Sequence, residues 1–351
     1  MEKIILYHRG KNKRINTINF FRLICAVMVT TIHATPFFDI SQNIGVLIVD
    51  ILSRIAVPFF FTISGYFLVL RIEKDKIQWR KAIGQLLKYY ICLSVIYFGW
   101  EWIHNGYEGY TFVEGLIVVL KRTFIYGVYY HLWYFPSSIM ALSVLYLSQK
   151  LKITKIVTFV ALFCFIGGVL TYTWSNVGTK IFPVLEGMKT SFDFDYIRRF
   201  AGDAFPFTIL GYVIFKTENL WKSLSKKIVI GCCVFSLLLY IMEVETAMYL
   251  KVSDGTTLSF SMIFVIYFLF MTAILYPAVN NIRIGKFCRD ASVIIFGLHP
   301  IVLELLTEIY PSNFLNRKTV VFIIAITLLL ILTICIDFIK KTKLKRKAIH
   351  D

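Results

Sequence analysis

The chain has 351 residues, is 58% hydrophobic and only 17% charged, and carries a net charge of +17 at a mean hydropathy of +0.70. Soluble proteins place charge on about a quarter of their residues, so these proportions exclude a soluble globular enzyme. The apolar residues fall in many blocks of about 20, which also excludes a globular domain on a single anchor. What remains is an all-α polytopic membrane protein.

Ten spanning segments are predicted, at roughly 17–38, 44–70, 82–103, 131–148, 154–173, 200–215, 227–248, 257–275, 291–309 and 319–339. With the N-terminus inside, the cytoplasmic loops hold 26 of the 38 lysines and arginines and the outer loops hold 9. That asymmetry orients the chain N-in and C-in and explains the basic charge without nucleic acid. The expected organisation is a cytoplasmic tail (1–16), one transmembrane domain (17–339) and a basic cytoplasmic tail (340–351). No cleavable signal peptide is expected, because the basic start runs into a full-length span without an A-x-A site. The seven cysteines lie mostly in apolar runs without CxxC spacing. They read as small hydrophobes, with no metal site or disulfide framework implied.

The first span, Asn19 to Phe38, carries Arg22 and His33. Eleven residues at roughly 100° each return the two to within about 20° of one another, about 16 Å apart along the axis. An intramembrane cation costs at least ~2.5 kcal/mol, so such residues normally face a polar interior and mark a site. The plainer alternative has Arg22 snorkelling to the headgroups. In the second span Asp50 and Arg54 stand at i,i+4, as a packing ion pair or as a substrate contact. That span ends in VPFFFTISGYFL, where Ser64-Gly65, just before Tyr66, permits close approach of a helix or a ligand. The next inner loop closes on Trp79-Arg80-Lys81, and Lys88 lies inside the third span. Such cations suit an anionic ligand, for instance a phosphorylated cofactor, or simply follow the positive-inside rule.

The outer loops differ in kind. Glu101, His104, Glu108 and Glu114 precede the fourth span, and Asp193 and Asp195 precede the sixth. The 104–130 stretch has the Tyr/Trp content of an interfacial belt, and its 111–127 portion is expected to form an amphipathic helix. His131 to Pro136 opens the fourth span, with Trp133 and Tyr134 as belt residues and His131 lining a vestibule. In the ninth span His299 precedes Pro300, which removes a backbone donor, and Glu304 follows five residues on. His33 and His299, each roughly mid-span, are expected to face one cavity. The chain contains no GxSxG, HExxH, P-loop or dinucleotide fingerprint. Two chemistries remain. A neutral histidine can act as general base for a hydroxyl attacking an acyl carbonyl, with arginine orienting anionic groups. Alternatively, histidines and carboxylates relay protons in a transporter.

Several motifs together resemble the acyltransferase-3 family of integral membrane acyltransferases. They are the Arg22-x10-His33 pair, PFFFTISGYFL (58–68), His131-Leu132-Trp133-Tyr134-Phe135, FPFTILGYVIF (205–215) and IIFGLHP (294–300), in family order across nearly the whole chain. HLWYFP and the short outer loops are especially similar to the membrane domain of vancomycin-resistance serine racemases, whose cytoplasmic racemase is not expected here. The resemblance implies a ten-helix enzyme of the bacterial plasma membrane. It would move an acyl group, usually acetyl, from cytoplasmic acyl-CoA to a hydroxyl of an envelope glycan. His33 carries over as the catalytic histidine and Arg22 as its partner. The family's inner-loop RxxR is matched imperfectly, by Arg80-Lys81 and then Lys88; these three, with Ser64 and Tyr66, take the acyl-CoA side. Arg54, His131, Trp133, His299 and Glu304 are the substrate-side candidates. The racemase likeness keeps uptake of a small amino acid such as serine as the alternative. Lipid and a glycan or small-molecule acceptor are the expected partners.

Overall fold

The computed structural model describes residues 2–73, 78–104, 113, 119–188, 192–253, 255–309 and 317–350, and these contain helices and no strand. In chain order the α-helices are α1 (Glu2–Ala34), α2 (Gln42–Gly45), α3 (Ala56–Ile72), α4 (Gln78–His104), α5 (Tyr134–Lys150), α6 (Thr154–Thr171), α7 (Ser175–Ile181), α8 (Val184–Met188), α9 (Phe192–Arg198), α10 (Phe205–Trp221), α11 (Lys226–Tyr249), α12 (Met262–Leu275), α13 (Ile282–Ile309) and α14 (Lys318–His350). Every predicted segment is occupied by helix. Seven stretches of the described residues are long and apolar enough to cross a membrane: Ile15–Ala34, Gln42–Ile72, Gln78–His104, Thr154–Thr171, Lys226–Tyr249, Ile282–Ile309 and Lys318–Thr342. The other three predicted segments hold α5 and α10, of 17 residues each, and α12, of 14.

Two features depart from the simplest expectation. The second segment is not one regular helix, since a π-helical turn (Val46–Ile51) and a 3-10 turn (Leu52–Ile55) separate α2 from α3. Pro58 accounts for the break near Arg54, because it offers no N–H to the Arg54 carbonyl and its ring crowds that oxygen. Of the stretch expected as an amphipathic helix at 111–127, residues 111, 112 and 114–118 lie outside the described residues, as does Glu108. Its end forms a π-helical turn, Arg122–Tyr126, closed by Gly127 at φ +81°. A Cβ there would fall 2.3 Å from the Trp133 backbone nitrogen, so glycine is what lets this turn sit against the HLW element.

The chain forms two compact units, residues 1–57 with 272–351, and residues 58–271. In the first, α13 buries Gly285, Cys288, Ser292, Ile295, His299 and Leu306, a stripe repeating every three to four residues. The matching stripe of α1 holds small side chains, with Cys25, Ala26, Val29 and Thr30 at most 3% exposed. Small residues let two membrane helices approach closely enough to gain packing energy. At Gly285 a Cβ would lie 2.2 Å from Asn16 Oδ1. At the same end the Val279 N–H donates to Thr17 Oγ1 (3.0 Å), while the far end carries His33 and His299. Thus α1 and α13 run parallel. The helix α14 runs the other way, because its first turn bonds the residues that follow α1.

In the second unit α3 and α10 cross through glycines. A Cβ on Gly65 would lie 2.0 Å from the Thr208 carbonyl oxygen, and one on Gly211 would lie 2.3 Å from that of Thr62. Gly65 therefore serves a neighbouring helix. Beside the crossing, Leu68, Val69, Leu142, Leu145, Ala161, Phe205 and Ile209 form a buried cluster. The start of α12 is tied to α11 by Glu243, which accepts from Trp174 Nε1 (2.9 Å), from the Phe260 and Ser261 N–H groups (2.8 Å each) and from the Ser261 hydroxyl. Four donors satisfy a carboxylate that would otherwise be costly within an apolar helix.

Candidate active site

On α1 the residues at three- and four-residue spacing between Arg22 and His33 are the buried Ala26, Val29 and Thr30. Both functional side chains therefore lie on or beside the face that meets α13. His33 is the last residue but one of the helix and is exposed. Its ring stacks on that of His299, with centroids 5.2 Å apart and planes 25° from parallel. The two histidines that were expected to face one cavity stand at ring contact.

His299 is fully buried, and its orientation follows from the residue after it. Pro300 cannot donate to the carbonyl one turn back, that of Phe296. His299 Nδ1 lies 3.0 Å from this oxygen and 3.1 Å from the Ile295 oxygen. Carbonyl oxygens only accept, so Nδ1 carries the proton and, in the neutral ring, Nε2 is the lone-pair nitrogen. The LHP sequence thus builds a fixed, single-tautomer imidazole as the platform for His33. Glu304, five residues on, is turned about 140° away from His299 by the helix, so the two do not share a face.

Arg22 donates to Asn19 Oδ1 (3.4 Å), one turn away on its own helix. The π and 3-10 turns of the second segment pack against α1. There Arg54 pairs with Asp50 at 3.6 Å, so the predicted i,i+4 pair forms. Arg54 Nε and Ser53 Oγ, both buried, have no hydrogen-bond partner among the described residues. Counted by helical rise from the turn at 35–41, Arg54 and Arg22 lie at about the same depth, roughly 18–20 Å. The first unit thus joins an exposed imidazole at one end of α1 to two guanidinium groups further along.

The remaining predicted residues belong to the second unit. Ser64 Oγ donates to the Phe60 carbonyl (3.0 Å) and meets the Tyr134 hydroxyl at 3.2 Å. Tyr66 is 4% exposed and donates to Glu218 Oε2 (2.7 Å). Arg80, Lys81 and Lys88 are exposed, so Lys88 points out of its span rather than into the unit. Trp133 packs on Phe61 (5.8 Å), and the Arg199 guanidinium lies 5.4 Å from its ring centroid. His131 corrects its expectation. It is 3% exposed and ringed by Tyr97, Tyr129 and Tyr130, because the turn before α5 folds these aromatic residues over it, so it lines no open vestibule.

Sequence reasoning did not single out Arg199, Thr319 or Asp39. Arg199 pairs with Asp195 (2.7 Å) and lies 5.3 Å from the Tyr196 ring centroid. Burial pushes the Tyr196 hydroxyl above its ordinary range, and Arg199 opposes the shift. Asp39 accepts from the Thr319 N–H and hydroxyl. Slight burial raises this carboxyl, but the Thr319 hydrogen bonds outweigh it and hold the group below the usual aspartate value. No local motif marks Asp39, since its partner is 280 residues away.

Among curated proteins, an amino-acid racemase of Enterococcus faecalis is 35% identical over 133 residues, which is 36% of this chain and 18% of the relative. A second amino-acid racemase of that species is 31% identical over 147 residues, or 41% of this chain and 20% of the relative. A serine/alanine racemase of Enterococcus gallinarum is 31% identical over 134 residues, 37% and 18% of the two chains. The matched stretches thus span about a fifth of these relatives' length. No solved structure matches. The family model described as an acyltransferase domain, that of acyltransferase-3, matches residues 15–339, and the chain belongs to this family.

Proposed function

We propose that the protein is an O-acyltransferase of the bacterial plasma membrane, moving an acetyl group from cytoplasmic acetyl-CoA to a hydroxyl of an envelope glycan. One observation carries the reading: an exposed histidine stacked on a buried, single-tautomer histidine, in a chain whose family is built on an acyltransferase domain. His33 takes the proton of the acceptor hydroxyl as its oxygen attacks the thioester carbonyl carbon. The new C–O bond forms, the C–S bond breaks, and the CoA thiolate leaves with the proton that His33 received. Arg22 and Arg54, nearer the cytoplasm in the predicted orientation, attract the anionic groups of the donor. Arg80, Lys81 and Lys88, with Ser64 and Tyr66, are the further donor-side groups, and Trp133, His299 and Glu304 are the acceptor-side ones.

Reconstituted protein given acetyl-CoA should release CoA on addition of a glycan acceptor, and His33→Gln should abolish the release. CoA release that is indifferent to both His33→Gln and Arg22→Ala sinks the proposal. A second reading is uptake of a small amino acid such as serine, favoured by the racemase names of the relatives. Serine accumulation in proteoliposomes without any CoA requirement would establish it in place of transfer.

A further inference from the structure

The turn after His33 is strained. Thr35 and Phe37 have left-handed backbone, at φ +45° and +70°. Such non-glycine residues are costly and persist only where their surroundings over-determine them. Here the surroundings are the first turn of α14. The Phe37 N–H donates to Thr319 Oγ1 (2.7 Å), the Thr319 hydroxyl donates onward to Asp39 Oδ1, and the Thr319 N–H donates to Asp39 Oδ2 (3.1 Å). Lys318 Nζ donates to Thr35 Oγ1 (3.0 Å), and the Phe37 ring meets Phe322 edge-on at 6.1 Å. Asp39 thereby caps the N-terminus of α14, where a carboxylate is favoured by the helix dipole.

These bonds all lie within six residues of His33. The last turn of α1 is closed by the Thr35 N–H donating to the Thr31 carbonyl (3.0 Å), and helix ends left unanchored fray. On the reading that His33 is the base of acyl transfer, we propose that Asp39 and Thr319 are positioning residues for it. Their clasp holds the 35–39 turn in its strained shape and keeps the His33 imidazole stacked on His299. A base must stay within hydrogen-bond reach of its proton, and a misplacement of 1 Å costs about 10²-fold in rate. Thr319 both accepts and donates, so valine, of the same shape, removes two links together, whereas serine keeps both. Asparagine at position 39 puts an N–H₂ where a second acceptor is required.

The test compares Thr319→Val, Thr319→Ser, Asp39→Asn and the Thr319→Val/Asp39→Asn double variant in proteoliposomes. CoA release is measured with acetyl-CoA and acceptor. Separately, the rate at which diethyl pyrocarbonate modifies His33 is followed by peptide mass spectrometry, which resolves it from the chain's other histidines. We expect Thr319→Val and Asp39→Asn to lower kcat about 10²-fold while KM for acetyl-CoA stays within about twofold. The His33 modification rate shifts in both, Thr319→Ser stays near wild type, and the double variant is no worse than the worse single. Wild-type kcat and an unchanged His33 modification rate in Thr319→Val overturn the clasp. Equal losses in Thr319→Val and Thr319→Ser overturn it as well. If His33→Gln retains full CoA release, the acyl-transfer reading falls, and the modification rates alone then decide whether the clasp positions His33.

Discussion

His33 and His131 both sit against other rings, yet their surroundings commit them to different tasks. His131 is enclosed by three tyrosines and is 3% exposed, so its ring works as packing in the second unit. His33 is exposed, and the buried member of its pair is the neighbour, His299, held by the carbonyl that Pro300 frees. A fixed, fully buried platform with a reachable imidazole on top is what a base needs. A histidine in a span is thus informative through the solvent access of its own ring and the fixity of its neighbour.

The largest expected effect separates these two residues directly. His33→Gln should lower acyl transfer by about 10²–10⁴-fold, the usual contribution of a general base, in protein that still elutes as a folded species. His131→Gln should leave kcat within about threefold and lower the unfolding temperature instead. Equal losses of activity in the two variants would break the comparison.

Gly65→Ala comes next and acts through the second unit alone. Its methyl group would meet the Thr208 carbonyl oxygen at 2.0 Å, and backbone cannot give way as a side chain does. Overpacking of this kind costs about 1–3 kcal/mol, visible as earlier denaturant unfolding in detergent, whereas Gly231→Ala, with open space around it, should be silent. A smaller effect is expected from Pro300→Ala, which restores an N–H to compete for the Phe296 carbonyl. His299 then loses part of its tautomer lock, worth about 1 kcal/mol as one hydrogen bond, and CoA release should fall about fivefold. An unchanged rate would detach His299 from the chemistry.

The smallest effect is a pH dependence at the Asp39–Thr319 clasp. The Asp39 carboxyl is held below the ordinary aspartate value of about 3.9. Its contribution to stability is therefore present above that value and is lost as pH falls through the lower folded value. Lys318 Nζ faces the same turn, donating to Thr35 Oγ1. Thermal unfolding between about pH 5 and pH 2 should lose this slope in Asp39→Asn; a slope that persists would assign it to another carboxylate.

Much of this was legible in the sequence, for a physical reason. A bilayer demands long apolar helices and penalises each intramembrane charge, so hydropathy alone outlines the segments, and Arg22, His33, Arg54 and His299 stand out as exceptions. Helical periodicity even placed Arg22 and His33 on one face. The break at 46–55 was less legible, because Pro58 signals only the nearer half of it and nothing local announces a π turn at Val46–Ile51. Lys88 lies within its span as expected, but that its side chain is exposed was not legible, since the side of a helix that meets its neighbours is a property of the neighbours.

By itself, then, the sequence determined an all-helical membrane chain, its family motifs and the few polar groups worth questioning, since these follow from local composition against an apolar solvent. Only the tertiary structure decided which of those groups meet. The stacking of His33 on His299, the seating of Gly285 on Asn16, the clasp of Asp39 on Thr319 and the enclosure of His131 join residues by packing. Such pairings depend on how ridges and small residues let particular helices approach, and no local pattern carries that information.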